Sequence, residues 1–537
     1  MPSLTGADPP GFGPLRCGVS RLSDADERCS KPPMSTVLAQ APAPLPAADG
    51  LEAARRRHSP RYAPPSATPW PALAIHGGLT LLWLALLLRA FLPDGLWSWA
   101  AGLLYIAYDT ALLGFVFWKT LPLVRAASPA RAPLDPRPAL AVVVAAHDEE
   151  AVLATTLNAL LAQADPPDRI VVADDGSGPG TARLLTGTFG LAEPAVGSLG
   201  GGTVHPALSW LRLPHGGKAA ALNRAVALLD EEVVVTVDAD TLLDRGAIGA
   251  MRAAFAAEPR LVAATGVLLP VCDASLAGRL FEWFQTYEYL RNFLSRYAWS
   301  RMDSLLLISG AFAGFRRAAL VDVGGFDTDC LVEDYELIHR LKRHAALTGR
   351  AWTTAVLGSA RARTEAPATV GAFLRQRRRW FGGFLQTQTW YRDMIGNPRY
   401  GRLGLAMLPV KAADTLQPVY GLTAAAFLIG YLLTGRLALA FPIFGVIGGK
   451  IALDLGFHLW SVWLYRRWLG VRARTSLPGA VAASLVEPFC FQILRHLGAA
   501  AGWIVYITGH SSWGRQTRGG LAASEAGGKG PRPGGLP

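Results

Sequence analysis

The chain has 537 residues, 51% of them hydrophobic and only 17% charged, with 52 Lys and Arg against 40 Asp and Glu. Such a composition excludes a protein whose whole surface faces water, so apolar runs long enough to cross a bilayer come first. The formal charge of +12 sits largely in arginines beside apolar segments, which argues against nucleic acid and for anionic lipid headgroups and a negatively charged substrate.

Residues 1–70 are rich in Pro, Ala, Ser and Arg and show no signal peptide with a cleavage site; they are expected to be disordered, with Met34 as an alternative start. Residues 71–92 and 96–118 are apolar stretches, each of the roughly 20 residues a spanning helix needs, and a Pro-Asp-Gly turn joins them into a hairpin. A basic, proline-rich linker at 119–139 follows, and its charge places the next domain in the cytoplasm. The five cysteines (Cys17, Cys29, Cys272, Cys330, Cys490) have neither metal-ligand spacing nor an even framework, and read as free thiols of a reducing compartment.

From Leu140 the hydrophobic period changes. Strand-like runs "LAVVVAAH", "RIVVADDGS", "LSWLRLP" and "VVVTVDAD" alternate with helical segments from Glu149, at "KAAALNRAVALL" and from Arg245. This predicts an α/β domain over 140–368 with a largely parallel sheet and its ligand loops at strand ends. Segments 276–299 and 369–402 mix arginine with aromatics and suit helices lying in the membrane interface. Three apolar stretches, 416–434, 437–465 and 477–509, make 403–509 a second membrane region ahead of a basic tail at 510–537. The last stretch is too long for one upright helix at about 1.5 Å per residue and short for two. Interrupted by Pro488 and by Arg495-His496, it is expected to bend or re-enter and return the tail to the cytoplasmic face.

Five local patterns carry chemistry. Asp238-x-Asp240 closes the strand "VVVTVDAD", and two carboxylates so placed invite a divalent cation bridging to a diphosphate, where a solvated turn is the bland alternative. Asp174 and Asp175 end an earlier strand, where a carboxylate can meet a base or ribose, or merely make an Asp-Gly turn. "HGGKAAALN" sets Lys218 at a helix start, suited to phosphate or to simple capping. Glu333 and Asp334 open another helix, either complementing its dipole or offering Asp334 as a general base. Gln376 and Trp380 share a helical face beside Arg379, an aromatic platform with a cation that a basic interfacial helix would also present.

In this order, and on this architecture, the five patterns resemble the family-2 glycosyltransferases, and among them the membrane-embedded synthases of cellulose, chitin, hyaluronan and poly-N-acetylglucosamine. The resemblance covers residues 140–380 and the flanking spans. It implies a GT-A, Rossmann-like domain inserted between transmembrane helices. Asp174, Asp175, Lys218 and Asp238 would bind the donor, Asp240 with Asp238 would hold Mg²⁺ or Mn²⁺, and Asp334 beside Glu333 would be the catalytic base. Val332 stands where the family's Thr-Glu-Asp motif has threonine. Gln376, Arg379 and Trp380 match the Gln-x-x-Arg-Trp motif of acceptor and diphosphate. Ser309 and Gly310 in "LISGAFAGFRRAALVDVGGF" match the acceptor-lining segment, and "SSWGRQTRGG", with Trp513, Arg515, Thr517 and Arg518, is similar to a gating segment.

The resemblance implies inverting transfer from a UDP-sugar, UDP-glucose or UDP-N-acetylglucosamine, to the end of a β-linked glycan, in a bacterial inner membrane and with accessory export subunits as partners. A single transfer to a lipid or polyprenyl-phosphate acceptor is one alternative; a transporter with a non-catalytic nucleotide-binding domain is another, weakened by the intact Asp240 and Asp334. With about 28 residues after Gly509, no cyclic-dinucleotide control barrel is expected.

Overall fold

The structure is a computed structural model that describes residues 49–64, 67–92, 95–125, 137–469 and 476–509. Helix α1 (Asp49–His58) and a 3-10 turn at Pro60–Tyr62 come first, inside the stretch expected to be disordered. That expectation is corrected here for residues 49–62: Leu51 is buried, and Arg55 and Arg61 are bound by residues far along the chain. Local composition could not show this, because tertiary contacts rather than intrinsic propensity hold so short and basic a helix.

Helices α2 (Trp70–Arg89) and α3 (Ala100–Thr120) form the expected apolar hairpin. The α/β domain then runs β1 (Leu140–Ala146), α4 (Glu150–Leu161), β2 (Arg169–Asp175), α5 (Pro179–Gly187), β3 (Ser198–Gly201), β4 (Leu208–Leu213) and α6 (Lys218–Ala227). It continues through β5 (Val233–Asp238), β6 (Thr241–Leu243), α7 (Ala247–Ala257), β7 (Leu261–Val271), α8 (Leu276–Ser300), β8 (Phe312–Arg316), α9 (Arg317–Asp322), α10 (Glu333–Thr348) and β9 (Thr353–Glu365). After it come α11 (Val370–Trp390), α12 (Leu408–Leu433), α13 (Leu437–Leu469), α14 (Leu477–Val486) and α15 (Phe491–Thr508).

One nine-stranded sheet, ordered β3-β4-β2-β1-β5-β8-β7-β9-β6, forms the GT-A type core. Strands β4, β2, β1 and β5 are parallel, as the alternating pattern implied. The other half is mixed: β8 runs antiparallel to β5 and β7, β9 parallel to β7, and β6 antiparallel to β9. The largely parallel sheet is therefore corrected to a mixed one. Only Ala239 and Asp240 separate β5 from β6, too few for the crossover that parallel pairing needs, so β6 leaves its predecessor and closes the far edge.

Among the described residues, four helical segments are long and apolar enough to cross a membrane: Trp70–Arg89, Gly95–Val124, Leu403–Leu433 and Leu437–Leu469. The pair Leu477–Phe489 and Phe491–Thr508 passes the same test together and bends by 50°. The break falls at Glu487–Phe489, around Pro488, as expected; Arg495 and His496 stay inside α15. One apolar core joins the sheet to these helices, with Val142 and Val235 continuous with Val116, Leu408, Tyr465 and Ala480.

Candidate active site

Strand register brings the carboxylates to one edge of the sheet. Ala145 of β1 pairs with Asp238 of β5, and Ala146 pairs with Asp174 of β2. Asp174 is buried, accepting the Trp210 indole N–H at 3.0 Å and the Ser177 N–H at 2.9 Å. The Asp175 carboxylate accepts the backbone N–H groups of Gly216 at 2.7 Å and Gly217 at 2.9 Å, and lies 3.0 Å from His215 Nδ1. Gly176 is required beside it: it takes φ +71, and a Cβ there would meet His215 N at 2.7 Å. Asp175 thus shapes the loop that enters α6. The His147 and His215 rings stack on each other at 4.4 Å, each with Nδ1 beside Asp175 O, a pair no sequence pattern had indicated.

Lys218, the first residue of α6, joins three of the motifs. Its ammonium pairs with Asp238 and lies 3.7 Å from Glu333 Oε1. Burial disfavours its charge, but Asp238 and Glu333 overcome this and raise its pKa. Asp240 is buried, and burial together with the Asp238 and Glu365 carboxylates pushes it up to about 8. Burial also raises Glu333, against the pull of Lys218. The sequence patterns did not include Glu365; it arrives because β6 pairs with β9, Thr241 opposite Thr364. The donor set at Asp238 and Asp240 is all carboxylate oxygen, with repulsion that a hard divalent cation would relieve, so these residues fit Mg²⁺ or Mn²⁺.

Asp334, the second residue of α10, is held at both oxygens. Gly310 N donates to Oδ2 at 2.7 Å and Tyr335 N donates to Oδ1 at 2.8 Å. A Cβ at Gly310 would lie 3.1 Å from Asp334 Oδ2, so this approach favours glycine. Ser309 beside it donates its N–H to Thr265 Oγ1 at 3.3 Å. On α11, Gln376 is 9% exposed and its Oε1 is buried without a hydrogen-bond partner among the described residues. Arg377 also stands over the Trp380 ring, at 4.8 Å, a further cation on this helix beside Arg379. Arg377 is fixed there by two 2.7 Å bonds to Glu288 of α8, while Arg379 Nη1 reaches Leu331 O at 3.4 Å. Trp513, Arg515, Thr517 and Arg518 lie outside the described residues.

Residues 136–383 match the family model described as Glycosyltransferase like family 2. Over 291 residues the chain is 26% identical to the poly-beta-1,6-N-acetyl-D-glucosamine synthase of Staphylococcus epidermidis, covering 52% of this chain and 62% of that protein. It is 27% identical over 289 residues to the protein of the same name from Staphylococcus aureus (strain COL), covering 53% and 64%. The chain therefore spans about three fifths of the length of the curated relatives it matches. Among solved structures it is similar to a mannosyltransferase from Pyrobaculum calidifontis in complex with GDP-Man and Mn²⁺, at a TM-score of 0.46 and 22% identity, covering 73% of this chain and 99% of that one.

Proposed function

The chain is a glycosyltransferase whose residues 136–383 form a family 2 domain, and from that premise we propose that it extends a β-linked polysaccharide from a UDP-sugar, with inversion at the anomeric carbon. The names of the relatives favour N-acetylglucosamine over glucose as the transferred unit. The observation that carries this reading is the junction at Lys218, where the carboxylates after β5 meet those that open α10.

Asp174 and Asp175 frame the nucleoside end of the donor, and Lys218 with Asp238 faces its diphosphate. Divalent metal at Asp238 and Asp240 would supply charge stabilisation to the diphosphate. Asp334 takes the proton from an acceptor hydroxyl, its carboxylate already oriented by the Gly310 and Tyr335 N–H groups. Attack on the anomeric carbon breaks the bond to the diphosphate, and Lys218 and Arg379 face the developing negative charge. Trp380 offers the acceptor sugar a flat apolar face, and the unpartnered Gln376 Oε1 offers an acceptor for a sugar hydroxyl. Ser309 and Gly310 line that subsite.

The proposal places the catalytic domain, 140–368, on the cytoplasmic side of a bacterial inner membrane, with spans on both flanks as the exit route for the polymer and accessory export subunits beyond. Membranes containing the protein, incubated with a panel of UDP-sugars and digested with linkage-specific glycosidases, test this. One UDP-sugar should yield a long, β-glycosidase-sensitive product. One sugar on a lipid would replace polymer synthesis with the single-transfer reading.

A further inference from the structure

The segment ahead of the first span is bound to the catalytic domain by contacts that converge on one loop, residues 323–329, leading from α9 into α10. Arg55 Nη1 donates to Phe326 O at 3.0 Å. Asn223 of α6 grips the same residue from the other side, donating to Phe326 O at 2.8 Å and accepting from Phe326 N at 2.7 Å. Gly324, at φ +90, lets α1 approach: a Cβ there would fall 2.1 Å from Arg55 N and 2.4 Å from Leu51 O.

Arg61 completes the contact. Its Nη1 donates to Asp327 Oδ1 at 2.8 Å, and its other terminal nitrogen pairs with Asp329. The same guanidinium stands 5.0 Å from the ring of Trp390, the last residue of α11, and 4.7 Å from that of Tyr62. The Asp327 side chain is completely buried, and its Oδ2 has no hydrogen-bond partner among the described residues. A planar, permanently charged fork held between two carboxylates and two aromatic rings is a task specific to arginine.

We propose that residues 49–62 are a strap that positions the active site, with Arg61 as its positioning residue. By joining Asp327 to Trp390, Arg61 ties the approach to α10, which carries Asp334, to the end of α11, which carries Gln376 and Trp380. The strap thereby sets the separation between the group that takes the proton and the platform that holds the acceptor. This rests on the reading of Asp334 and of Gln376 and Trp380 given above.

The test uses the full chain in membranes, comparing wild type, Arg61→Ala and Arg61→Lys, with Asp334→Asn as control. Misplacing reacting groups by about 1 Å costs on the order of 100-fold. Arg61→Ala is therefore expected to lower kcat per folded molecule by roughly 10- to 100-fold and to raise the acceptor KM at unchanged donor KM, with a lowered Tm because Asp327 is left buried without its cation, and with partial recovery in Arg61→Lys. Wild-type kcat and KM per folded molecule in Arg61→Ala, or a loss confined to yield and Tm, overturns the proposal. Should the alanine variant not fold, Arg61→Lys decides: reduced kcat per folded molecule supports the strap, and wild-type kcat per folded molecule overturns it. An active Asp334→Asn would sink the base assignment instead, so the two failures are distinguishable.

Discussion

The hydroxyl groups of Tyr506 and Thr389 lie 2.6 Å apart, tying the last turn of α15 to the C-terminal end of α11. The two helices lie close along this face: a Cβ at Gly498 would fall 2.6 Å from Arg377 Cβ, and one at Gly502 2.7 Å from Phe381 Cβ. On the proposed topology α11, which carries Arg375, Arg377, Arg378 and Arg379, lies at the membrane interface rather than in the hydrocarbon. The end of α15 is at that level too. A cysteine introduced at Ser511, just beyond the described residues, is expected to resist an impermeant thiol reagent on intact cells and to react after permeabilisation. Labelling from outside would put the tail across the membrane.

Asp240→Asn is expected to abolish turnover while leaving the fold intact. Removing one of the crowded carboxylates relieves repulsion, so the variant should melt at or above the wild-type temperature. Activity should also disappear in excess chelator and return with Mg²⁺ or Mn²⁺. Full activity in chelator would remove the metal from the mechanism.

Asp334→Asn should lower transfer by roughly 10²–10⁴-fold, the usual contribution of a general base, with donor binding nearly unchanged. Gly310→Ala probes the same group from its partner side, since the added methyl would press on Asp334 Oδ2 at 3.1 Å. It should reduce kcat with little effect on Tm, and donor affinity measured by titration should not move. Loss of donor binding in either variant would reassign Asp334 to the donor subsite.

His339 gives α10 an acid-sensitive point. Its ring is fully buried, Nδ1 meets Tyr335 O at 2.9 Å, and Nε2 has no partner. Burial lowers its pKa from 6.5 to about 4. The unfolded chain therefore takes up a proton below about pH 6.5 that the folded chain refuses until near pH 4. The stability held above pH 6.5 should fall through this window, by at most about 3 kcal/mol. His339→Leu should flatten the dependence of Tm on pH between those values; an unchanged slope would place the acid sensitivity elsewhere.

Residues that act through their immediate neighbours were readable in the sequence. Asp238, Asp240, Lys218, Glu333 and Asp334 each sit at a strand end or helix start that local pattern marks, and the chain brings Lys218, Asp238 and Glu333 together. Residues whose role depends on distant pairing were not readable. Glu365 reaches Asp240 only through the β6–β9 register, and Arg377 stands over Trp380 while bonded to Glu288 of α8, a distant partner in sequence. Pro488 marked the break in the last apolar stretch. Arg495 and His496 did not add one, because Glu487 pairs with Arg495 and Tyr105 meets His496 at 3.1 Å. The strap escaped because its stabilising partners are more than 200 residues away, with Arg55 and Phe326 separated by 271 positions.

Strand β9 has one further consequence. Near its middle, Arg361 donates to Leu469 O at 3.1 Å, and Gly358 lies so close to Trp468 that a Cβ would fall 2.4 Å from its indole nitrogen. Its far end delivers Glu365 beside Asp240. The strand, whose pairing with β7 is irregular between Leu357 and Arg361, thus connects the foot of the membrane helix α13 to the carboxylate cluster. Bilayers that are thicker or thinner than a helix prefers change its tilt, and here that tilt would be felt among the reacting groups. Lipid thickness is then expected to alter the rate of such an enzyme, and reconstitution into bilayers of different acyl-chain length would measure it.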